Sequence, residues 1–221
     1  MKLVFDPFDL YSIRYDEWYD KHRIIYENEL HAVKISKENT KKPSLEIGVG
    51  SGRFAKPLNI DLGIDPSLSL LKIAKSRGVN VIESVGEYLP FSNNKFNTVY
   101  ILITICFLDD PIRALKEINR TLKKVGFIIT GFVPKESKWG KYYEILKEKG
   151  NPFYKYANFY TYKEVMNMLE ETGYQSVVVN STLFYKPGKE EGLDKIIKGY
   201  SKDAGFIVIK AKKFKRSYLC Q

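Results

Sequence analysis

Ser44-Leu45-Glu46-Ile47-Gly48-Val49-Gly50-Ser51-Gly52-Arg53-Phe54 is the stretch whose reading decides the fold. A short apolar run, Leu45–Val49, ends in glycines spaced G-x-G-x-G and is followed by residues that open a helix. Glycine lets the backbone turn tightly and approach a ligand with no Cβ in the way. The spacing is not the G-x-G-x-x-G of a nicotinamide site, and the G-K-[ST] ending of a phosphate-clamping loop is missing.

Glu46 narrows the ligand further. A carboxylate at a strand's end sits badly beside a pyrophosphate and suits a ligand with an ammonium and a sulfonium. S-adenosylmethionine has both and no phosphate. A glutamate there also serves to cap the loop's own N–H groups. The next apolar run, Leu62–Ile64, leads into Asp65-Pro66-Ser67. An acidic residue at the end of the second strand accepts hydrogen bonds from ribose hydroxyls in doubly wound folds. Its other use is as a helix N-cap, for which Ser67 is also available. The third piece is Val85-Gly86-Glu87-Tyr88-Leu89-Pro90-Phe91, which follows a strand over Asn80–Glu83. Three contacts then fall at the C-terminal ends of consecutive strands, where open α/β sheets bind ligands.

Strands and helices alternate outward from this core. Ser67–Arg77 has helical apolar spacing, Phe96–Ile105 suits a central strand buried on both faces, and Pro111–Leu122 is helical with Gly126 as its stop. Phe127–Phe132 is the fifth strand. Such βαβ alternation implies a parallel sheet. After Val133 the pattern changes: Lys138–Lys149 and Thr161–Glu171 read as helices, and Val177–Phe184 and Phe206–Ala211 as strands that pair antiparallel. Upstream, Phe5, Phe8, Tyr11, Tyr15, Trp18, Tyr19 and Tyr26 crowd an amphipathic segment, a second helix runs to about Lys37, and a polar linker ends at Pro43. The expectation is one α/β domain over 1–221: a helical cap over 1–42, a cofactor-binding core over 43–133, and insertion helices with C-terminal strands over 134–221.

The core residues resemble class I S-adenosylmethionine-dependent methyltransferases of the type 11 group. The likeness extends through Leu89-Pro90-Phe91, Lys95-Phe96-Asn97-Thr98-Val99 and the run Ala114 to Gly126, which the family writes as LPF, SFDVV and ALKEIxRVLKPGG. Thr104 to Pro111 and Glu136 to Lys141 resemble a small prokaryotic subfamily loosely labelled histamine N-methyltransferase-like. The chain departs from the pattern at Val85, where the family has an Asp, at Asn97 and at Val125. The resemblance implies a Rossmann-like fold: a mostly parallel seven-stranded sheet with an antiparallel C-terminal strand and an N-terminal helical cap. It implies that Glu46, Gly48, Gly50 and Gly52 hold the methionine end of the cofactor and that Asp65 with Pro66 holds the ribose. Gly86 and Glu87 would edge the adenine, and Ile103 and Thr104 would lie near the methyl group. It also implies a lid role for the aromatic segment. Tyr11, Tyr15, Trp18 and Tyr19 are the candidate acceptor-binding residues, with Asp16, Glu17 and Asp20 beside them to hold a cationic amine. Plain packing of an amphipathic helix is the alternative. The aromatics of the insertion, Trp139 to Tyr160, are a further candidate wall.

The sulfonium already activates the methyl group, so positioning and electrostatics carry much of the work and no catalytic residue is assigned. Asp16, Glu17, Tyr15 and His22 are the candidate bases in the cap. No [DN]-P-P-[YFW] tetrad for base N-methylation and no Pro-Cys pair for pyrimidine C5 chemistry occurs. Two cysteines, Cys106 and Cys220, and two histidines, His22 and His31, leave no disulfide framework and no metal-ligand spacing. The 221 residues contain no apolar run long enough for a membrane span and begin with no signal peptide, so a cytoplasmic enzyme is expected. The net charge of +10, with Lys210, Lys212, Lys213, Lys215 and Arg216 near the C-terminus, raises an RNA or protein acceptor as the second reading. A small-molecule acceptor is preferred because no separate RNA-binding module is present. A non-catalytic adenosyl-ligand binder and a nicotinamide oxidoreductase complete the alternatives.

Overall fold

The computed structural model describes residues 6–214, so Phe5, Lys215, Arg216 and Cys220 lie outside the described residues. Three helices precede the sheet: α1 (Asp6–Leu10), α2 (Ser12–Lys21) and α3 (Arg23–Ser36). The aromatic segment is helical as its spacing predicts, but it breaks at His22, whose backbone leaves helical geometry while its Nδ1 sits 2.9 Å from the Trp18 carbonyl. The break turns α3 across the sheet.

β1 (Ser44–Ile47) runs into the glycine loop and the short α4 (Ala55–Leu58). β2 (Leu62–Asp65) leads to α5 (Leu68–Ser76), whose N-cap is Ser67, its Oγ accepting from the Leu70 N–H at 3.2 Å. β3 (Val81–Glu83) and β4 (Phe96–Leu102) follow. β4 ends three residues earlier than its apolar run, because Ile105–Phe107 turns into a 3₁₀ helix. α6 (Pro111–Thr121) begins with Asp110 as N-cap and Pro111 in the first turn.

α6 corrects an expectation. It stops at Thr121, and the strand β5 (Leu122–Phe132) starts at once, so Gly126 does not end the helix but sits inside the strand. The stop is tertiary. Lys95 N–H donates to the Thr121 carbonyl at 2.7 Å, and Lys213 Nζ donates to the carbonyls of Asn119 and Leu122 at 2.6 and 2.7 Å. These groups satisfy helix-end acceptors that would otherwise need a glycine turn. The chain finishes with α7 (Lys138–Glu148), α8 (Tyr162–Glu171), β6 (Tyr174–Thr182), β7 (Ile197–Lys198) and β8 (Phe206–Lys213).

The sheet has eight strands in the order β3-β2-β1-β4-β5-β8-β6-β7, not seven. The additional one is the two-residue β7, which pairs Asn180 with Lys198 and Ser181 with Ile197. Two exposed residues have no periodicity to read. β3, β2, β1, β4 and β5 are parallel, and β8 runs antiparallel between β5 and β6. The chain builds outward from β1 to β3 and then returns to lay β4 on the other side of β1. The topological switch point therefore lies at the C-terminal ends of β1 and β4, where the crevice of such a sheet forms.

β4 alternates between two cores, as a strand buried on both faces must. Val99 and Ile101 join Leu45, Ile47, Leu115, Ile118 and Leu169 on one face. Tyr100 and Leu102 join Tyr19, Val33, Leu58, Ala74 and Phe206 on the other. α3 packs across β5, β8 and β6 on this second face. No described helix is long and apolar enough to cross a membrane.

Candidate active site

The glycine loop leaves β1 in left-handed geometry, with φ +68° at Gly48, +52° at Gly50 and +80° at Gly52. At Gly48 a Cβ would overlap the Thr104 side chain, so the loop is pressed against the end of β4. Gly52 is different: a Cβ there would meet Val79 and Ala74 at 3.0 and 3.2 Å, so it serves packing beneath the loop and does not face the crevice. Asp65 spans the gap between the first two strand ends. Its Oδ2 accepts from the Gly50 N–H and its Oδ1 from the Ser67 N–H, both at 2.9 Å. Burial pushes its carboxyl up to about 6, against the two N–H groups that pull it down.

These groups open onto a cavity of about 470 Å³, within the size range of a small-molecule site. Ile47, Gly48, Gly50, Asp65, Pro66, Val85, Gly86, Glu87, Ile103 and Thr104 all line it. Asp65, Glu87, Asp109 and Asp110 bring four carboxylates to its wall, against one cation, Arg113. That guanidinium lies 3.9 Å from the Tyr88 ring centre and its Nε donates to the Glu87 carbonyl at 3.2 Å. A wall of this charge disfavours a phosphate and suits a cationic adenosyl ligand. The residues fit S-adenosylmethionine: glycines for a close approach, buried Asp65 for hydroxyl donors, and no phosphate clamp. The Glu87 carboxylate is partly committed elsewhere, its Oε1 accepting from the N–H groups of Asp109 and Asp110 at 3.0 and 3.3 Å. It organises the loop after β4 as well as lining the cavity. Glu83 is exposed and lies away from the wall.

Glu46 does not line this cavity. It sits on β1 opposite Gly63 and Tyr100, only 1% exposed, on the second-core face with Tyr19 nearby. Its Oε2 has no hydrogen-bond partner among the described residues. Burial, reinforced by the charge of Asp65, holds its carboxyl well above the usual range. Of the two acidic residues expected to face the ligand, Asp65 opens onto the cavity and Glu46 lies behind it.

The cap is bolted to the loop by ion pairs. Asp16 accepts from Ser51 Oγ at 2.6 Å, from Arg53 Nε at 2.8 Å and from Arg77 Nη2 at 2.5 Å. Arg53 also pairs with Asp20, and Arg77 Nη1 donates to the Ser51 carbonyl at 2.5 Å. The hydrogen bonds from Arg53, Arg77 and Ser51 outweigh desolvation and lower the Asp16 carboxyl to about 2. Asp9 accepts from Ser67 Oγ at 2.7 Å and Ser69 N–H at 3.0 Å. Glu17 pairs with Lys21 on the surface. The three cap carboxylates expected beside an acceptor amine, Asp16, Glu17 and Asp20, are thus engaged in ion pairs. His22 stacks on Trp18 at 4.5 Å.

A second cavity, about 70 Å³, adjoins the first and shares Phe8, Tyr15, Ile103 and Phe107 with it. Trp18 and Tyr19 from the cap, and Tyr143, Phe153, Tyr154, Phe159 and Tyr160 from the insertion, complete an aromatic wall. Tyr15 sits over Gly50 and its hydroxyl is 3.0 Å from that of Tyr19. Tyr11 is 44% exposed, lines neither cavity and meets only the edge of Phe153. Ile103, at the boundary, has φ +56°, a left-handed backbone that a β-branched residue rarely adopts. Strain of this kind persists only where the surroundings over-determine it, and it concentrates at functional sites. Cys106 lines the wall, but burial pushes its thiol up to about 12, which removes the thiolate as a nucleophile.

One polar group in this wall was absent from the sequence reading. Glu29, on α3, is 3% exposed and lines the aromatic cavity. The signal was present. Ile25, Glu29, Ala32, Val33 and Ser36 are all buried on one helical stripe, and a carboxylate in that stripe breaks the binary pattern. Among the described residues no group of three or more His, Cys, Asp or Glu is arranged to hold a metal ion.

Comparison with known proteins agrees with this geometry. Residues 45–130 match the family model described as a methyltransferase domain. An uncharacterized protein of Methanocaldococcus jannaschii is 41% identical over 93% of this chain and 98% of its own length. One from Mycobacterium tuberculosis is 36% identical over 89% of this chain and 70% of its own. The crystal structure of a SAM-dependent methyltransferase from Thermotoga maritima, described as a possible histamine N-methyltransferase, is 39% identical with a TM-score of 0.90, over 96% of this chain and 100% of that one. The glycine loop at the switch point, the match of the core and the end-to-end likeness together place this chain among the S-adenosylmethionine-dependent methyltransferases, as an enzyme of that family.

Proposed function

We propose that the chain transfers the methyl group of S-adenosylmethionine to a small-molecule acceptor held in the aromatic cavity. The observation that carries this is the shared wall: an acidic, nucleoside-sized cavity and a narrow aromatic one meet at Phe8, Tyr15, Ile103 and Phe107. When bound, S-adenosylmethionine supplies a methyl group already activated by its sulfonium. The loop glycines let the backbone approach the methionine end. Each Asp65 oxygen retains a lone pair beyond its N–H bond for a ribose hydroxyl. Gly86 and Val85 line the cavity where the adenine would lie, and the family's usual Asp is absent there. Ile103, Phe107 and Tyr15 line the passage and exclude water, so that positioning supplies much of the rate.

The description of the Thermotoga neighbour also names a small acceptor. A nucleic-acid acceptor is less well supported. Lys210 is buried against Phe127 with its Nζ bonded to the Glu38 carbonyl, and Lys213 caps α6, so two of the lysines counted as a basic patch are used inside the fold. Calorimetry on the full chain tests the reading. S-adenosylhomocysteine is expected to bind and NAD is not; NAD binding alone would end it. A screen of amines, phenols and thiols with labelled cofactor identifies the acceptor class.

A further inference from the structure

Glu29 is the one acidic side chain in the wall of the aromatic cavity. Its carboxylate has no hydrogen-bond or ion-pair partner among the described residues, although 97% of the residue is withdrawn from solvent. Tyrosines share the cavity wall with it: Tyr15 and Tyr19 from α2, Tyr143 from α7, and Tyr154 and Tyr160 beyond that helix. No Lys, Arg or His lines the cavity. A buried carboxylate with neither an ion pair nor a hydrogen bond is costly, and a merely structural position would be filled better by an apolar residue. Desolvation alone pushes its carboxyl up to about 8, so a modest gain from a bound cation suffices to ionise it near neutral pH.

We propose that Glu29 selects a small primary or secondary amine as the methyl acceptor and takes the proton from it; the inference rests on the methyltransferase reading above. An ammonium is drawn into an aromatic cage around a carboxylate by cation–π attraction and by charge. It is useless there as a nucleophile, because its lone pair is occupied and the neighbouring sulfonium repels it. The Glu29 carboxylate removes one proton, leaving R–NH2 with a free lone pair. The nitrogen then forms its bond to the methyl carbon as the carbon–sulfur bond breaks, and that electron pair stays on sulfur. The products are the N-methylammonium ion and S-adenosylhomocysteine, and the proton on Glu29 passes to solvent as they leave. The cavity, at about 70 Å³, is about half the roughly 150 Å³ that accepts benzene in an engineered core. The amine therefore enters by a slim aminoalkyl end.

The test uses the full chain loaded with S-adenosylhomocysteine, titrated with alkylamines from ethyl to hexyl, phenethylamine, and their alcohol and thiol counterparts. Amines are expected to bind more tightly than their counterparts, and Glu29→Gln is expected to weaken the amines by about 30-fold while leaving the alcohols unchanged. In turnover, Glu29→Gln should lower kcat/KM for amines by about 100-fold or more, with partial recovery in Glu29→Asp. Affinity for S-adenosylhomocysteine should stay within about threefold, which also shows that the variant folds. Alcohols or thiols bound as well as amines, no amine bound at all, or an E29Q variant within threefold of wild type would overturn the proposal and leave the cofactor assignment standing. A wild-type chain that binds no S-adenosylhomocysteine would instead bring down the methyltransferase reading.

Discussion

The two cavities meet at four residues but are built by opposite means. The larger is made of strand ends and backbone: left-handed glycines, N–H groups held by Asp65, and a wall with four carboxylates. The smaller is roofed by side chains from the cap and the insertion, mostly aromatic, over the ends of β4 and β5, with a single unpaired acid. The first uses parts that any member of the fold can supply. The second depends on which helices happen to be laid over the sheet. Cofactor chemistry therefore belongs to the scaffold, and acceptor chemistry to what is placed on top of it.

Substitutions can break or sharpen this contrast. The largest effect is expected at Gly48. Valine there combines a strained φ with an overlap on Thr104, and calorimetry should show S-adenosylhomocysteine affinity reduced by more than about 100-fold. Acceptor-side changes such as Glu29→Gln should not touch that affinity.

Three buried acids, one in each cavity and one behind the glycine loop, share a pH signature. Glu29, Glu46 and Asp65 have carboxyls raised by burial, so the folded state holds protons that the unfolded chain releases. Their contribution to stability is full below about pH 4, the unfolded value, and is lost as pH rises through about 6 for Asp65 and about 8 for Glu29. Denaturant melts of the ligand-free chain should show less stability at pH 8 than at pH 5. E29Q should flatten the slope. A melt that gains stability over this range would contradict the burial argument.

Asp65→Ala removes the acceptor of two loop N–H groups as well as the proposed ribose contact. Cofactor affinity should fall about tenfold to 100-fold. Unchanged affinity would mean that Asp65 only braces the loop. Asp16→Asn should cost about 1–2 kcal/mol by leaving Arg53 and Arg77 short of a partner. Because Asp16 also holds Ser51, a threefold to tenfold loss of cofactor affinity should accompany it, by the same conversion of free energy to affinity. The smallest effect is expected from Tyr11→Ala. Tyr11 lines neither cavity, so acceptor KM should move by less than about threefold, well below the change from Trp18→Ala.

Much of the larger cavity was legible in the residues. The glycine spacing, Asp65 after the second apolar run, and Gly86 after the third all lie within a few residues of a strand end. Local periodicity therefore predicts their place. Glu46 lies behind the cavity and not on its wall. Side chains alternate across a strand, so the residue next to Ile47 points to the opposite face, and only the packed sheet shows which face opens on the crevice. The seven-strand expectation missed β7 because a two-residue pairing is made by its partner, not by its own sequence.

The smaller cavity shows what lay beyond reading. Asp16 and Glu29 are thirteen residues apart in the same cap, and by composition Asp16 was the better candidate to meet an acceptor. In the folded chain Asp16 is taken by Arg53 and Arg77, which lie 37 and 61 residues away, and Glu29 is left without a partner. The sequence by itself determined the alternating strands, the glycine loop and the kind of ligand it suits, because these follow from short-range spacing and backbone geometry. Which carboxylate was neutralised and which was left bare was decided by the tertiary structure, because a side chain's charge state depends on neighbours brought from anywhere in the chain.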